Sequence, residues 1–213
     1  MIVAICSGGP NEEVYPLEKL EADVYVGVDR GASYLLARNI TPTAIVGDFD
    51  SVSHTEWEEI STAVTHVESF QAEKDETDTD LALLKALEFN PTQIIVTGVT
   101  GGRLDHYEAA MRSVYRMQRI NPKIQFIVVN KQNELQFLLP GRHELTSKKD
   151  FRYLSFFAYG EQVLDVTLRG VKYETTLETI EQSSSRFTSN EIVSNNAYIE
   201  FSKGICLMIR SID

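Results

Sequence analysis

The sequence predicts an α/β protein in two lobes: an N-terminal Rossmann-like, mostly parallel sheet flanked by helices, then a C-terminal antiparallel β-sandwich. Three observations predict it. Up to about residue 130, short apolar runs alternate with stretches of helical periodicity, the pattern of crossover units and hence of a parallel sheet. Beyond that point short β-prone runs follow one another with turn residues between them, as in an antiparallel sandwich or barrel-like sheet. A length of 213 residues, 43% of them hydrophobic and 24% charged, supplies a core that needs no covalent staples.

In the first lobe, strands are expected at Ile2–Cys6, Val24–Val28, Ala44–Val46, Thr65–Glu68, Gln93–Thr97 and Gln125–Val129. Helices are expected at Glu12–Leu20, Ala32–Asn39, His54–Ala63, Asp78–Phe89 and Leu104–Arg119. The clearest is Asp78–Phe89, where Leu81, Leu84 and Leu87 recur at helical spacing and Ala82 and Leu83 widen the apolar face. Thr77 or Asp78 is placed to cap its first turn. In the second lobe, strands are expected at Glu134–Leu138, His143–Leu145, Tyr153–Phe157, Gln162–Leu168, Val171–Thr175, Ile192–Val193, Ala197–Phe201 and Ile205–Ile209. Turn signals such as Pro140-Gly141, Arg169-Gly170 and Lys203-Gly204 separate them. The boundary is placed between residues 132 and 133, giving lobes 1–132 and 133–213. A second lobe of that size is small for a core of its own and is expected to pack on the first lobe or on another subunit.

Composition excludes several function classes. A net charge of −11, from 31 acidic and 20 basic residues, argues against a nucleic-acid-binding surface. Cys6 and Cys206 lie far apart in apolar strand patterns, so no disulfide framework is expected and a reducing cytoplasm is the default location. Four scattered His and no Cys/His cluster argue against a structural zinc site. The N-terminus runs straight into a strand without a basic region and long apolar stretch, so neither a signal peptide nor a membrane span is expected.

The chemistry lies in five loops that follow candidate strands. The third holds Gly47-Asp48-Phe49-Asp50-Ser51. Two carboxylates this close repel unless water, a cation or a donor separates them. Hard oxygens beside a glycine turn suit Mg²⁺, although Asp and Gly are also ordinary turn residues. The first loop, Ser7-Gly8-Gly9, is either a tight strand–helix connection or a phosphate cradle, and it lacks the Gly-Lys-Ser/Thr of a P-loop. The second, Asp29-Arg30-Gly31, offers a metal ligand and a phosphate partner, or a capping pair. The fourth, Lys74-Asp75-Glu76-Thr77-Asp78-Thr79-Asp80, is either a solvated helix start or the source of a third carboxylate, Asp78, with Lys74 as a point charge for phosphate. The fifth, Thr97-Gly98-Val99-Thr100-Gly101-Gly102-Arg103-Leu104-Asp105-His106, combines glycines before a helix N-terminus with Arg103 as a phosphate clamp. Asp105 there caps the helix or orients Arg103, and His106 is a base or donor, or a solvent-facing first-turn residue. On an open parallel sheet these loops share one rim, and carboxylates, glycine turns and cations together favour polyphosphate chemistry.

Taken in order and spacing, Gly47–Ser51, the Lys74–Leu83 segment and Gly101–His106 resemble thiamine pyrophosphokinases. Arg169-Gly170-Val171-Lys172-Tyr173 and Ser189-Asn190-Glu191 are similar to that family too, so the resemblance spans nearly the whole chain. It implies an α/β lobe that binds ATP and Mg²⁺, a β-sandwich lobe contributing to a thiamine site, and a homodimer with sites between subunits. The implied reaction is ATP plus thiamine giving thiamine diphosphate plus AMP. Asp48, Asp50 and Asp78 fall on the family's metal-binding positions, Arg103 and Asp105 on its nucleotide motif, and Tyr173, Ser189 and Asn190 on its thiamine-side segments. Tyr173 stands where some relatives carry Trp and still offers a flat face to a cationic heterocycle. Two alternatives are weighed against this. A Mg²⁺-dependent phosphohydrolase would want its Asp-x-Asp on the first strand, not the third. A non-catalytic nucleotide- or thiamine-binding protein would have no need of the full set of carboxylates and Arg103.

Overall fold

A computed structural model describes residues 1–49, 52–64, 67–69 and 76–213, and the chain divides into two compact units, Met1–Lys131 and Gln132–Asp213. In the first unit, strands β1 (Ile2–Cys6), β2 (Val24–Val28), β3 (Ala44–Gly47), β4 (Val67–Ser69), β5 (Gln93–Thr97) and β6 (Gln125–Val129) pair in parallel. Their order is β4-β3-β2-β1-β5-β6, so the chain winds outward from β1 to β4 and then returns to start again at β5. The strands β1 and β5 therefore flank a topological switch point, where their exit loops part and leave a crevice at their carboxyl ends. Helices α1 (Arg30–Leu36), α2 (His54–Ala63), α3 (Asp78–Glu88) and α4 (Leu104–Ile120) flank the sheet. The helix α1 packs on β1, β2 and α2, and α3 packs on β1, β2, β3 and α4. Strands covered on both faces must be apolar throughout, and Ile5, Ile45, Ile94 and Phe126 are fully buried. Ile45 joins Ala32 of α1 and Ile60 of α2 in one cluster, each large side chain contributing roughly 1.5–3 kcal/mol by area.

Three expectations for this unit are corrected. No helix forms over 12–20; only Leu17–Lys19 makes a 3-10 turn. Pro16 lacks an N–H and disfavours helical backbone at Tyr15, whose own N–H donates instead to Thr97 Oγ1 at 3.1 Å. The helix α1 begins at Arg30 rather than Ala32 and ends at Leu36, because Asn39 turns to φ +57 and Ile40 N–H closes back on Leu35 O at 3.0 Å. On α3 the buried stripe is Asp80, Ala82, Leu83 and Ala86, with Leu84 exposed. Small residues let the helix lie close on the sheet, which rotates the inward face away from the leucine repeat. Of the fourth expected strand, residues 65 and 66 lie outside those described, and β4 runs to Ser69.

The second unit is antiparallel throughout. Strands β7 (Asn133–Leu138), β8 (Gly141–Glu144), β9 (Tyr153–Ala158), β10 (Val163–Arg169), β11 (Thr175–Ile180), β12 (Asn190–Glu191), β13 (Tyr198–Phe201) and β14 (Cys206–Ser211) form two layers. One has the order β7-β14-β9-β12 and the other β8-β13-β10-β11. Leu138, Leu154, Phe156 and Met208 from the first share a core with Val166, Leu168, Ile180, Ile199 and Phe201 from the second. This is the sandwich the alternating runs predicted. The strand expected at Val171–Thr175 is instead a turn, with Gly170 at φ +71 and its N–H held by Glu174 Oε1 at 2.8 Å. Only Val171 pairs there, with Ile192, and the strand proper starts at Thr175. The short strand expected at Ile192–Val193 lies two residues earlier, at β12. Among the described residues no helix is long and apolar enough to cross a membrane.

Candidate functional site

The crevice at the switch point is a cavity of about 510 Å³ in the first unit, walled by loops after β1, β2, β3 and β5 and by the first turns of α3 and α4. Ser7, Gly8 and Gly9 line it from β1, Asp29 from β2, and Asp48 from β3. Asp78 lines it from α3, Gly98, Gly102 and Arg103 from the β5–α4 connection, and His106 from the first turn of α4.

Close backbone approach brings the β1 and β5 loops together. Ser7 N–H donates to Thr97 O and Gly9 N–H to Gly98 O, both at 2.9 Å. Gly98 has φ +77, and a Cβ there would lie 2.1 Å from the Ser7 carbonyl oxygen, so only glycine fits. The Tyr34 hydroxyl donates to Gly9 O at 3.1 Å, and burial raises its pKa so that it keeps the proton it donates. Ser7 Oγ is buried and finds no hydrogen-bond partner among the described residues. A buried hydroxyl left unmatched is costly, and a ligand oxygen in the cavity would satisfy it.

The β2 and β3 loops are locked by Asp29. Its backbone sits at φ +47, a conformation uncommon outside glycine, and its Oδ1 accepts Phe49 N–H at 3.3 Å. Gly47 makes room for that carboxylate: a Cβ on it would stand 1.9 Å from Asp29 Oδ1. Strained backbone held by its surroundings is a mark of functional sites. Asp50 and Lys74 lie outside the described residues.

Two helix N-termini face the cavity, and their first-turn N–H groups and dipoles favour anions. The first turn of α3 is fixed by a reciprocal cap: Thr77 Oγ1 accepts Asp80 N–H, and Asp80 Oδ2 accepts Thr77 N–H, both at 3.2 Å. Thr77, rather than Asp78, is thus the cap, which leaves Asp78 to line the cavity. At α4, Arg103 donates through Nε and Nη2 to the two oxygens of Asp105 at 3.1 and 2.5 Å. Asp105 also accepts His106 N–H at 3.1 Å, so it orients Arg103 and bonds the helix start together. The Arg103 guanidinium holds the Asp105 carboxyl below the usual carboxylate range.

The remaining expected nucleotide residues support the walls. Arg30 hydrogen-bonds Tyr34. A Cβ on Gly31 would meet Cys6 O at 1.9 Å, so α1 starts directly against the end of β1. Thr97 Oγ1 anchors Tyr15, and Gly101, at φ +81, abuts Glu13. The cavity also has wall residues that sequence reasoning passed over: Glu76, Thr77, Thr79, Thr100, Ala109 and Ala110. The alanines stand three and four residues after His106, so helical spacing from that residue was the signal that could have found them.

Among the described residues no three His, Cys, Asp or Glu side chains cluster closely enough to hold a metal ion by themselves. Asp48 and Asp78 nonetheless face one cavity, and one or two carboxylates with substrate phosphates are the usual Mg²⁺ set. The hard oxygen donors fit that ion.

In the second unit, Tyr173 is 62% exposed while its backbone is held at both ends by Asn190. Tyr173 N–H donates to Asn190 Oδ1 at 3.0 Å, and Asn190 Nδ2 donates to Tyr173 O at 2.9 Å. Asn190 is buried, and Ser189 N–H donates to Ser155 Oγ at 3.0 Å. Arg152 and Lys172 both bond Glu191, at 2.9 and 3.0 Å, and hold its carboxyl below the ordinary glutamate range.

The catalytic-domain model of thiamin pyrophosphokinase matches residues 17–126, and the vitamin B1 binding-domain model of thiamin pyrophosphokinase matches residues 142–206. A Bacillus subtilis (strain 168) protein named thiamine pyrophosphokinase is 38% identical over 213 residues, 99% of each chain. The chain belongs to the thiamine pyrophosphokinase family. Solved structures agree with this membership. The crystal structure of thiamine pyrophosphokinase from Bacillus subtilis superposes with a TM-score of 0.93 at 36% identity, covering 100% of both chains. That of thiamin pyrophosphokinase from Geobacillus thermodenitrificans gives 0.90 at 34% identity, covering 100% of this chain and 98% of the other. The matched catalytic segment of this thiamine pyrophosphokinase family member contains Asp29, Asp48, Asp78 and Arg103, and begins after the Ser7–Gly9 loop. The second matched segment contains Tyr173, Ser189 and Asn190.

Proposed function

We propose that the switch-point cavity is where ATP and Mg²⁺ bind for the family's reaction, transfer of the diphosphoryl group of ATP to the thiamine hydroxyl to give thiamine diphosphate and AMP. One observation carries this assignment: carboxylates, glycine-rich loops, two helix N-termini and Arg103 share the wall of one cavity. Ser7, Gly8, Gly9, Gly98 and Gly102 present backbone to the phosphates, with Ser7 Oγ free to bond an oxygen, and Gly101, at φ +81, shapes the turn between Gly98 and Gly102. Asp29, Arg30, Gly31 and Thr97 hold those loops in register. Arg103, oriented by Asp105 and with His106 on the same cavity wall, and Lys74 stabilise phosphate charge as it develops. Asp48, Asp50 and Asp78 would hold the Mg²⁺, which when bound draws charge from the phosphate oxygens.

The thiamine oxygen attacks the β-phosphorus and AMP leaves with the bridging oxygen. The hydroxyl proton passes to a carboxylate of the Asp48/Asp50 pair. Little covalent work falls to the protein, and alignment dominates. In the second unit Tyr173 stacks on a thiamine ring, positioned by Asn190, and Ser189 supplies a polar contact. We assign residues 1–132 to ATP and Mg²⁺ and 133–213 to thiamine, in a cytoplasmic homodimer whose sites form between subunits, with no nucleic-acid partner. The phosphohydrolase and ligand-sensor alternatives find no support in the comparisons. Incubation with ATP and Mg²⁺, with and without thiamine, tests the assignment. AMP that forms only with thiamine supports it, and phosphate release independent of thiamine contradicts it.

A further inference from the structure

Asp80 takes no part in lining the cavity, yet its carboxylate joins the two helices that open onto it. The residue is buried in the first turn of α3, where an acid is more often solvated. Its Oδ2 accepts Thr77 N–H at 3.2 Å and the Thr77 hydroxyl at 2.9 Å, closing the α3 cap. Its Oδ1 accepts Arg116 Nη2 of α4 at 2.7 Å. Each oxygen therefore serves a different helix. The cap fixes the backbone that carries Asp78 and Thr79 to the cavity wall. Arg116 stands two helical turns after Ala109, on the α4 face that continues into that wall.

We propose that Asp80 and Arg116 are positioning residues for the nucleotide: their bridge sets the spacing between the first turns of α3 and α4, and so between Asp78 and Arg103. The proposal rests on the assignment of the cavity to ATP and Mg²⁺. Groups that orient metal- and phosphate-binding residues typically matter about 10–100-fold, without touching the ligand.

The test is steady-state kinetics on the full chain with Arg116→Met, Arg116→Lys and Asp78→Asn, folding being followed by circular dichroism. Arg116 is more than half exposed, so its loss is compatible with folding. Arg116→Met is expected to raise KM for ATP, and so lower kcat/KM for ATP, about tenfold while KM for thiamine stays within about twofold, and Arg116→Lys recovers most of the loss. Unchanged ATP kinetics in folded Arg116→Met overturns the proposal. So does a fall in kcat with both KM values unchanged, which is what a smaller folded fraction would give. If Arg116→Met does not fold, Arg116→Gln, which keeps much of the stem but not the ion pair, is read in its place by the same criteria, and unchanged ATP kinetics in the folded variant overturn the bridge. Wild-type turnover by Asp78→Asn removes the cavity assignment itself. An inactive Asp78→Asn beside an unaffected Arg116→Met removes the bridge alone.

Discussion

Replacing Gly98 by Ala perturbs the contact on which the crevice depends. The new Cβ would lie 2.1 Å from Ser7 O, where ordinary contacts begin at 3.4 Å, so one loop must retreat by more than an ångström. Holding a non-glycine residue at φ +77 costs about 1–2 kcal/mol. The retreat also breaks or stretches the Ser7–Thr97 and Gly9–Gly98 hydrogen bonds, each contributing about 1 kcal/mol net. A total of about 3 kcal/mol corresponds to a fall in melting temperature of roughly 6–12 °C for a chain of this size. A displacement of this order at phosphate-aligning backbone lowers kcat/KM for ATP about 100-fold. Thermal melts and steady-state kinetics read both effects. Gly141→Ala is the control, since that glycine has φ +132 but nothing within 4 Å of its would-be Cβ. A Gly98→Ala protein that melts within about 2 °C of wild type with unchanged ATP kinetics refutes the loop-contact argument.

Burial pushes the Cys6 and Cys206 thiols up to about 12, so neither reacts with a thiol reagent in the native protein at neutral pH, and both react after unfolding; rapid native labelling contradicts this. Glu191 has a carboxyl held low by Arg152 and then Lys172, so its contribution is present above the ordinary glutamate pKa and is lost as pH falls through the folded value. The wild-type melting temperature should therefore drop more steeply than that of Glu191→Gln between about pH 6 and about pH 3, whereas parallel curves speak against the pairing. Because Lys172 adjoins Tyr173, the same variant should raise KM for thiamine and spare that for ATP. Arg210 is buried, bonds Thr146 O at 2.9 Å and stands 3.6 Å from Glu134, which keeps Lys148 as a second partner. Arg210→Met should cost about 2–4 kcal/mol in a urea titration, and a change below about 0.5 kcal/mol would show the pair contributes nothing.

The parallel sheet was legible because strands covered on both faces must be unbroken apolar runs, and Ile2–Cys6 and Gln125–Val129 can be little else. The loops of the site were legible for a related reason: chemistry-bearing residues directly after such strands can only lie at the carboxyl rim. Other features depended on partners distant in sequence. Nothing near Leu84 says that the sheet prefers Ala82 and Ala86, since that choice is made by the strands beneath. Asp80 read as one more acid in an acidic run until Arg116 appeared beside it, 36 residues downstream. Asn190 read as a ligand contact, whereas both ends of its amide hold the Tyr173 backbone. The false helix over 12–20 shows local periodicity yielding to Pro16 and to tertiary acceptors such as Thr97.

A divalent cation and the ATP phosphates must meet in the cavity if Asp48 and Asp78 act as assigned. Titration of Mn²⁺ in place of Mg²⁺, followed by electron paramagnetic resonance with a non-hydrolysable ATP analogue present, measures that directly. A bound-Mn²⁺ signal is expected in the wild type and is lost or weakened at least tenfold in Asp48→Asn and Asp78→Asn, with both variants folded. An undiminished signal in both variants would place the cation elsewhere and contradict the assignment.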